Sequence, residues 1–148
     1  HMYVILPFEK DFYEKKHKDS SLLADKNMLK HILSNLMGNA VKFTKEEGNI
    51  QISFSPDTEK KEMILSIRDD GIGIAKEDQE RIFDRFYQVG NTLQREHEST
   101  GLGLSIVKQM LEKMKGSVSV ESEIGEGALF VLRLPLVNEA KERVNYSI

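Results

Sequence analysis

Cysteine is absent from the 148 residues, so neither a disulfide framework nor a thiolate metal site is available, and nothing marks the chain as secreted. A cytosolic setting fits. Long apolar runs are missing too: none approaches the roughly 20 residues of a membrane span, so no direct membrane contact by this unit is expected. An excess of one charge is also lacking. The 21 Lys plus Arg against 24 Asp plus Glu leave a formal net charge of -3, and the basic residues are scattered rather than gathered into a stripe, which argues against nucleic acid as a partner. There is no internal repeat, no low-complexity segment and no G-x-x-x-x-G-K-[ST] string, so a bound nucleotide would be held by something other than a Walker-type loop.

What remains is 39% apolar, enough to bury one core in one compact unit. His1-Met2 is expected to be a cloning remnant, and residues 3 to 24 carry no readable period. Asp25 stands where a helix N-cap should, and Leu29, Ile32, Leu33, Leu36, Ala40 and Phe43 recur on one face, predicting a helix over Lys26 to Phe43. Beyond Gly48 the pattern alternates: Ile50, Ile52 and Phe54, a turn signal at Pro56-Asp57, then a strand from Met63 to Arg68, an antiparallel pair. A short helix is expected over Lys76 to Phe86, and a mobile loop over Tyr87 to Thr100. Leu104, Val107, Met110, Leu111 and Met114 predict another helix, stopped by Gly116. Val118, Val120, Phe130, Leu132 and Leu134 then restore period two around a hairpin at Gly125 and Gly127. The tight hairpins predict an α+β fold, a mixed and largely antiparallel sheet covered on one face by helices.

Three groups of residues carry chemistry. On the first helix, at roughly 100° per residue, Asn35, Asn39 and Lys42 share a strip away from the apolar face, with His31 beside them. An Asn oxygen is a hard neutral ligand suited to Mg²⁺, and a Lys can meet the phosphates that share the metal; a solvated helix face explains the same strip. Asp69 ends an apolar strand just before Gly71 and Gly73, which let the backbone turn and approach a ligand. Its acceptor-only carboxylate can receive the exocyclic amine of adenine but would face the carbonyl of guanine; an ordinary Asp-Gly turn is the plain alternative. Thr100-Gly101-Leu102-Gly103-Leu104 opens glycines onto a helix start, where free N–H groups and the dipole favour an anion.

Together these motifs resemble, in order and separation, the catalytic domain of sensor histidine kinases. NLMGNAVKFT (Asn35 to Thr44) looks like the N box and DDGIGI (Asp69 to Ile74) like the first glycine box. RIFDRFYQ (Arg81 to Gln88) looks like the F box, TGLGLSIVK (Thr100 to Lys108) like the second glycine box, and SEIGEGALFVLRLPL (Ser122 to Leu136) like the last hairpin. The resemblance implies the two-layer sandwich shared with gyrase, Hsp90 and MutL, the Bergerat ATP-binding fold. It implies residues 25–136 as the ATP-binding catalytic unit, 1–24 as lead-in and 137–148 as tail or linker. It implies Asn39 as Mg²⁺ ligand with Asn35 close by, Lys42 as phosphate contact, Phe43 as a wall near the nucleotide and Asp69 as adenine reader. Gly71, Gly73 and Ile74 would border the base; Thr100, Gly101, Leu102, Gly103 and Leu104 would border the phosphates. Tyr87 to Thr100 would be a lid over ATP, its near end anchored by Phe83 and Phe86, for which core packing is the competing reading.

Departures from the family pattern are Ser99 where the second glycine box usually begins with Gly, Ala128 where the last hairpin usually has Thr, and a short segment before Asp25 that leaves the sheet edge near Ser20 to Ala24 unassigned. None of the four histidines, His1, His17, His31 and His97, has the surroundings of a phosphate acceptor. The resemblance therefore implies transfer from Mg-ATP to a histidine on dimerisation helices outside this chain, with a response-regulator receiver domain downstream. An ATPase of the same fold is the rival, but Asn35 stands where that class has a Glu base and an amide cannot take up water's proton. A nucleotide-sensing or docking module without turnover is the other alternative.

Overall fold

The computed structural model describes residues 3–5, 20–22, 24–89 and 101–138. Helix α1 (Lys26–Phe43) begins where its cap predicts: the Asp25 carboxylate accepts from the N–H groups of Asn27 and Met28 at 2.8 and 2.9 Å. Its i, i+4, i+8 residues Ile32, Leu36 and Ala40 are buried. Phe43, expected on that apolar face, lies at the last turn and is 41% exposed.

Nearly all of the sheet is antiparallel. β3 (Asn49–Asp57) pairs with β4 (Glu62–Asp69), β4 with β6 (Gly127–Asn138), and β6 with β5 (Ser117–Glu123). The segment that carried no sequence period supplies two further strands. β1 (Tyr3–Ile5) lies parallel beside Asn49 to Gln51, and β2 (Ser20–Leu22) pairs with the end of β6, so the sheet edge left open near Ser20 is a strand. The order is β1-β3-β4-β6-β2, with β5 also on β6. Ile50, Leu65, Ile67, Phe130, Leu132 and Leu134 face inward and bury against α1 and against Val107 and Leu111 of α3 (Gly103–Lys113), forming one core between a sheet and a helical layer.

Two expectations are corrected. Pro56 and Asp57 lie within β3 and the chain reverses over 58–61; the turn signal is real but acts ahead, through the Asp57 carboxylate, which accepts from Lys60 N–H at 3.0 Å. Pro56 can stand in the strand because β1 covers β3 only as far as Gln51. Phe54 shares the face of Ile50 and Ile52 as expected, opposite the buried Leu65, and is itself 52% exposed. The helix expected over Lys76 to Phe86 is α-helical only as α2 (Lys76–Gln79). Successive single turns follow, with Arg81 and Ile82 N–H both bonded to Asp78 C=O, and Phe86 stands at φ +64°. As expected, α3 stops at Gly116: Lys115 turns left-handed (φ +57°), and Gly116 closes the end by donating to Leu111 C=O at 2.8 Å. Glycine is needed there because a Cβ would lie 2.5 Å from Arg133 C=O.

Candidate functional site

Period two decides which side chains reach the site from the sheet. Leu65 and Ile67 face the helices, so Asp69 does as well, and it is 6% exposed at the end of β4. Burial pushes its carboxyl up from the ordinary value. Backbone N–H groups of Gly71, at 2.9 Å from Oδ1, and of Ala128 pull it back, and the neighbouring Asp70 charge adds a small upward push. The next residue is placed oppositely. Asp70 is exposed, and both its oxygens accept from Asn49 N–H at 2.9 Å, with Asn49 Nδ2 on Oδ2 at 3.0 Å; these bonds hold its carboxyl below the usual range. Asp70 thus clasps the start of β3.

The turn after Asp69 is pressed between two other loops. Ile72 N–H donates to Phe43 C=O at the end of α1 (3.2 Å), and Ile72 C=O accepts from Gly125 N–H at the hairpin tip (2.8 Å). Gly73 requires its glycine twice over, with φ +72° and a Cβ that would run into the Glu123 backbone. Ile74 N–H donates to Ser122 Oγ at 2.8 Å, and the Gln79 side chain donates to Ile74 C=O (2.9 Å) and Ser122 C=O (2.7 Å).

On α1, Asn35 and Asn39 are half-buried beside Lys42, whose Nζ lies 5.1 Å from the Phe43 ring centroid. Asn35 Nδ2 donates to His31 C=O at 3.0 Å, which turns its oxygen toward α3: a Cβ on Gly103 would lie 2.7 Å from Asn35 Oδ1. The N-box strip and the second glycine box therefore meet directly. The N-cap of α3, Leu102, has no side-chain cap, leaving first-turn N–H groups without a capping oxygen. Gly101 (φ +65°) accepts from Phe86 N–H at 2.9 Å, so the F box and the second glycine box are tied across the intervening segment. The two F-box aromatics part company. Phe83 turns inward, edge-on to Phe130 (6.5 Å, 87°), whereas the Phe86 side chain is 74% exposed and contributes through its backbone. Tyr87 donates to the Asp78 carboxylate, and Arg81 stacks 4.4 Å over its ring.

The structure thus brings together Asn35 and Gly103, Phe43 and Gly71, Asp69 and Gly71, and Phe86 and Gly101. Leu102, Leu104 and Ile74 are half-buried beside them. Thr100, Ser99, His97 and, beyond Val89, the lid expected over Tyr87 to Thr100 lie outside the described residues, as do His1, His17 and residues 139–148. Among the described residues no group of three or more His, Asp or Glu is placed to hold a metal, and no helix is long and apolar enough to cross a membrane. Sequence reasoning missed Ser122, Gln79 and Asn49. Only Ser122 left a signal, a hydroxyl in register with inward-facing Val118 and Val120.

The family of histidine kinase-, DNA gyrase B-, and HSP90-like ATPases matches residues 24–138. The chain is 42% identical over 111 residues to the sensor histidine kinase AruS of Pseudomonas aeruginosa, covering 73% of this chain and 11% of AruS. Its fold is similar to full-length ShkA solved with AMPPNP (TM-score 0.71, 31% identity, 93% of this chain and 26% of that one). It is also similar to the catalytic domain of the histidine kinase ThkA (TM-score 0.64, 29% identity, 76% and 69%). The chain spans between 11% and 27% of the curated relatives AruS, RppB and CiaH. With its four motifs gathered on one two-layer sandwich, the chain belongs to the histidine kinase-, DNA gyrase B- and HSP90-like ATPase family, as an ATP-binding catalytic domain of the histidine kinase type.

Proposed function

We propose that this chain binds Mg-ATP and presents its γ-phosphoryl group to a histidine on a dimerisation hairpin outside the chain, in a two-component pathway that continues to a response-regulator receiver domain. The observation that carries the reading is the buried Asp69 carboxylate at the end of β4, which accepts from Gly71 N–H at 2.9 Å at the start of the glycine turn. Asp69 accepts the adenine amine, with Gly71, Gly73 and Ile74 bordering the base and Phe43 walling it. Lys42 meets the phosphates, and the glycines at the start of α3 let them approach uncapped N–H groups. Asn39, with Asn35 close by, holds Mg²⁺, whose charge offsets that of the phosphate oxygens. The Asn donor set fits that ion, because neutral oxygens leave the charge to be met by phosphates, and Asn35 already has its oxygen turned into the cleft toward Gly103. Residues 25–136 act as the catalytic unit, 1–24 as lead-in and 137–148 as tail or linker, on the cytosolic side where ATP is found.

Phosphoryl transfer depends chiefly on positioning and charge stabilisation, so this domain is half of an active site and the nucleophile arrives with the hairpin. The chain alone should neither label itself from γ-labelled ATP nor hydrolyse it usefully, because Asn35 is no base. Adding the helical hairpin of its parent protein should give acid-labile label on that hairpin, abolished by Asn39→Ala. Brisk phosphate release by the isolated chain, lost in Asn35→Ala, would move it to the ATPase branch.

A further inference from the structure

We propose that Ser122, acting through the Gly127–Ala128 peptide group, is a positioning residue for the Asp69 carboxylate and so for discrimination of the adenine amine. This rests on the reading of Asp69 given above. One peptide plane links the two side chains. Its oxygen, Gly127 C=O, accepts from Ser122 Oγ at 2.6 Å, and its N–H, on Ala128, points the opposite way, toward Asp69, the register partner of Ala128 on β4, where it helps hold down the pKa of the carboxyl. Hydrogen bonds in such a row polarise one another and fix the plane from both sides. The plane has little other freedom: Gly127 stands at φ +82°, and any Cβ there would strike the Asp69 backbone, so the strand passes directly against the main chain that carries the carboxylate.

The same Ser122 oxygen accepts from Ile74 N–H at 2.8 Å. A single hydroxyl therefore sets both the peptide that holds Asp69 and the far end of the glycine turn that would border the base. Its orientation follows from β5, where Val118, Val120 and Ser122 alternate toward the helical layer and Ser122 pairs with Ala128. Gln79 braces the turn from outside, on Ile74 C=O and Ser122 C=O, and is not hydrogen-bonded to the Gly127–Ala128 peptide. That separation makes Gln79 a control: its loss disturbs the turn while leaving the row from Ser122 to Asp69 whole.

The test is calorimetry on this chain with ATP and with purine riboside triphosphate, which lacks only the exocyclic amine. Wild type should prefer ATP, and Asp69→Asn should erase the preference. Ser122→Ala should reduce it by about three- to tenfold, while Ser122→Thr, which keeps the hydroxyl, retains it. Gln79→Ala should weaken both nucleotides alike. If melting shows that Ser122→Ala does not fold, Ser122→Cys carries the same expectation, because a thiol of similar size is a poor donor. A Ser122→Ala protein that binds both nucleotides more weakly with the wild-type ratio intact overturns the proposal, since that is how a mere hairpin brace behaves. No preference in wild type sinks the adenine reading and this inference with it. A preference erased by Asp69→Asn and untouched by Ser122→Ala sinks only the role of Ser122.

Discussion

Replacing Asp69 by asparagine keeps the side-chain volume and turns one carboxylate oxygen into an amide donor. In the wild-type chain the carboxylate accepts from Gly71 N–H at 2.9 Å, which leaves accepting capacity for an amine. Two losses follow for ATP. The bond from the amine is no longer charge-assisted, and the new NH₂ group can meet it donor to donor. Bonds to charged groups contribute about 1.5 to 3 kcal/mol, so ATP binding should weaken by roughly 1 to 3 kcal/mol, a 5- to 150-fold rise in Kd.

The nucleotide-free fold should respond differently. Burial raises the Asp69 pKa, so the ionised side chain costs stability that is regained as pH falls: the contribution is full below the unfolded value of 3.8 and lost as pH rises through the raised folded value. Asparagine removes that cost near neutral pH but leaves one N–H facing an amide. The two changes oppose each other, so the melting temperature should stay within about 1 kcal/mol of wild type, roughly 4 °C for a domain of this size. Calorimetry and thermal melting on the same preparation check both halves. Unchanged ATP affinity would remove Asp69 from the site, and a melting temperature that collapses along with affinity would make Asp69 a structural residue.

Asp70 should behave in the opposite sense. Its pKa is lowered by the Asn49 bonds, so its contribution is present above 3.8 and lost as pH falls through the folded value. Asp70→Asn should therefore melt below wild type at neutral pH, with the gap closing in acid; a gap independent of pH would contradict the clasp. Leu36→Ala, at a fully buried position of α1, should cost about 2 to 5 kcal/mol in denaturant unfolding, and a cost under 1 would place Leu36 outside a packed core. Gly103→Ala should hold or raise the melting temperature, since alanine favours a helix by about 1 kcal/mol, while its Cβ, 2.7 Å from Asn35 Oδ1, displaces that side chain. ATP affinity should fall about tenfold, and full affinity would detach Asn35 from nucleotide binding.

How much of this was legible depends on the range over which each cause acts. Helix α1 and the β3–β4 pair were readable because Asp25, the i, i+4 apolar series and the alternation at Ile50 and Ile52 are local signals. The helix placed over Lys76 to Phe86 was overlong because beyond Gln79 the chain continues only in single turns on Asp78 and Arg81 C=O, and its far end is held by a distant partner, Gly101 C=O on Phe86 N–H. β1 and β2 are three residues each, too short to show a period, and are strands only by virtue of β3 and β6. Among candidate site residues, Asn35, Asp69 and the glycines could be named because their residue types are unusual for their positions, and Phe43 only through the family resemblance. Asn49 and Gln79 could not, since polar residues at loop edges are ordinary until their partners are known.

The placement of Asp69 shows how a local rule and a distant one combine. Along β4 the inner face takes Leu65, Ile67 and Asp69, and the outer face takes Ser66 and Arg68, which stands between Gln51 and Leu129. A slip of one residue would exchange the faces, bringing a guanidinium to the cleft and sending the carboxylate to solvent. A donor would then meet the adenine amine. Sequence alternation favours the observed face, because a slip would also expose Leu65 and Ile67, yet the pairing of Ala128 with Asp69 also needs the glycine before it, since a Cβ on Gly127, at φ +82°, would run into Asp69 C=O. Under the adenine reading, nucleotide choice therefore depends on Gly127, distant in sequence from the carboxylate, and on the core that holds β4 to its face.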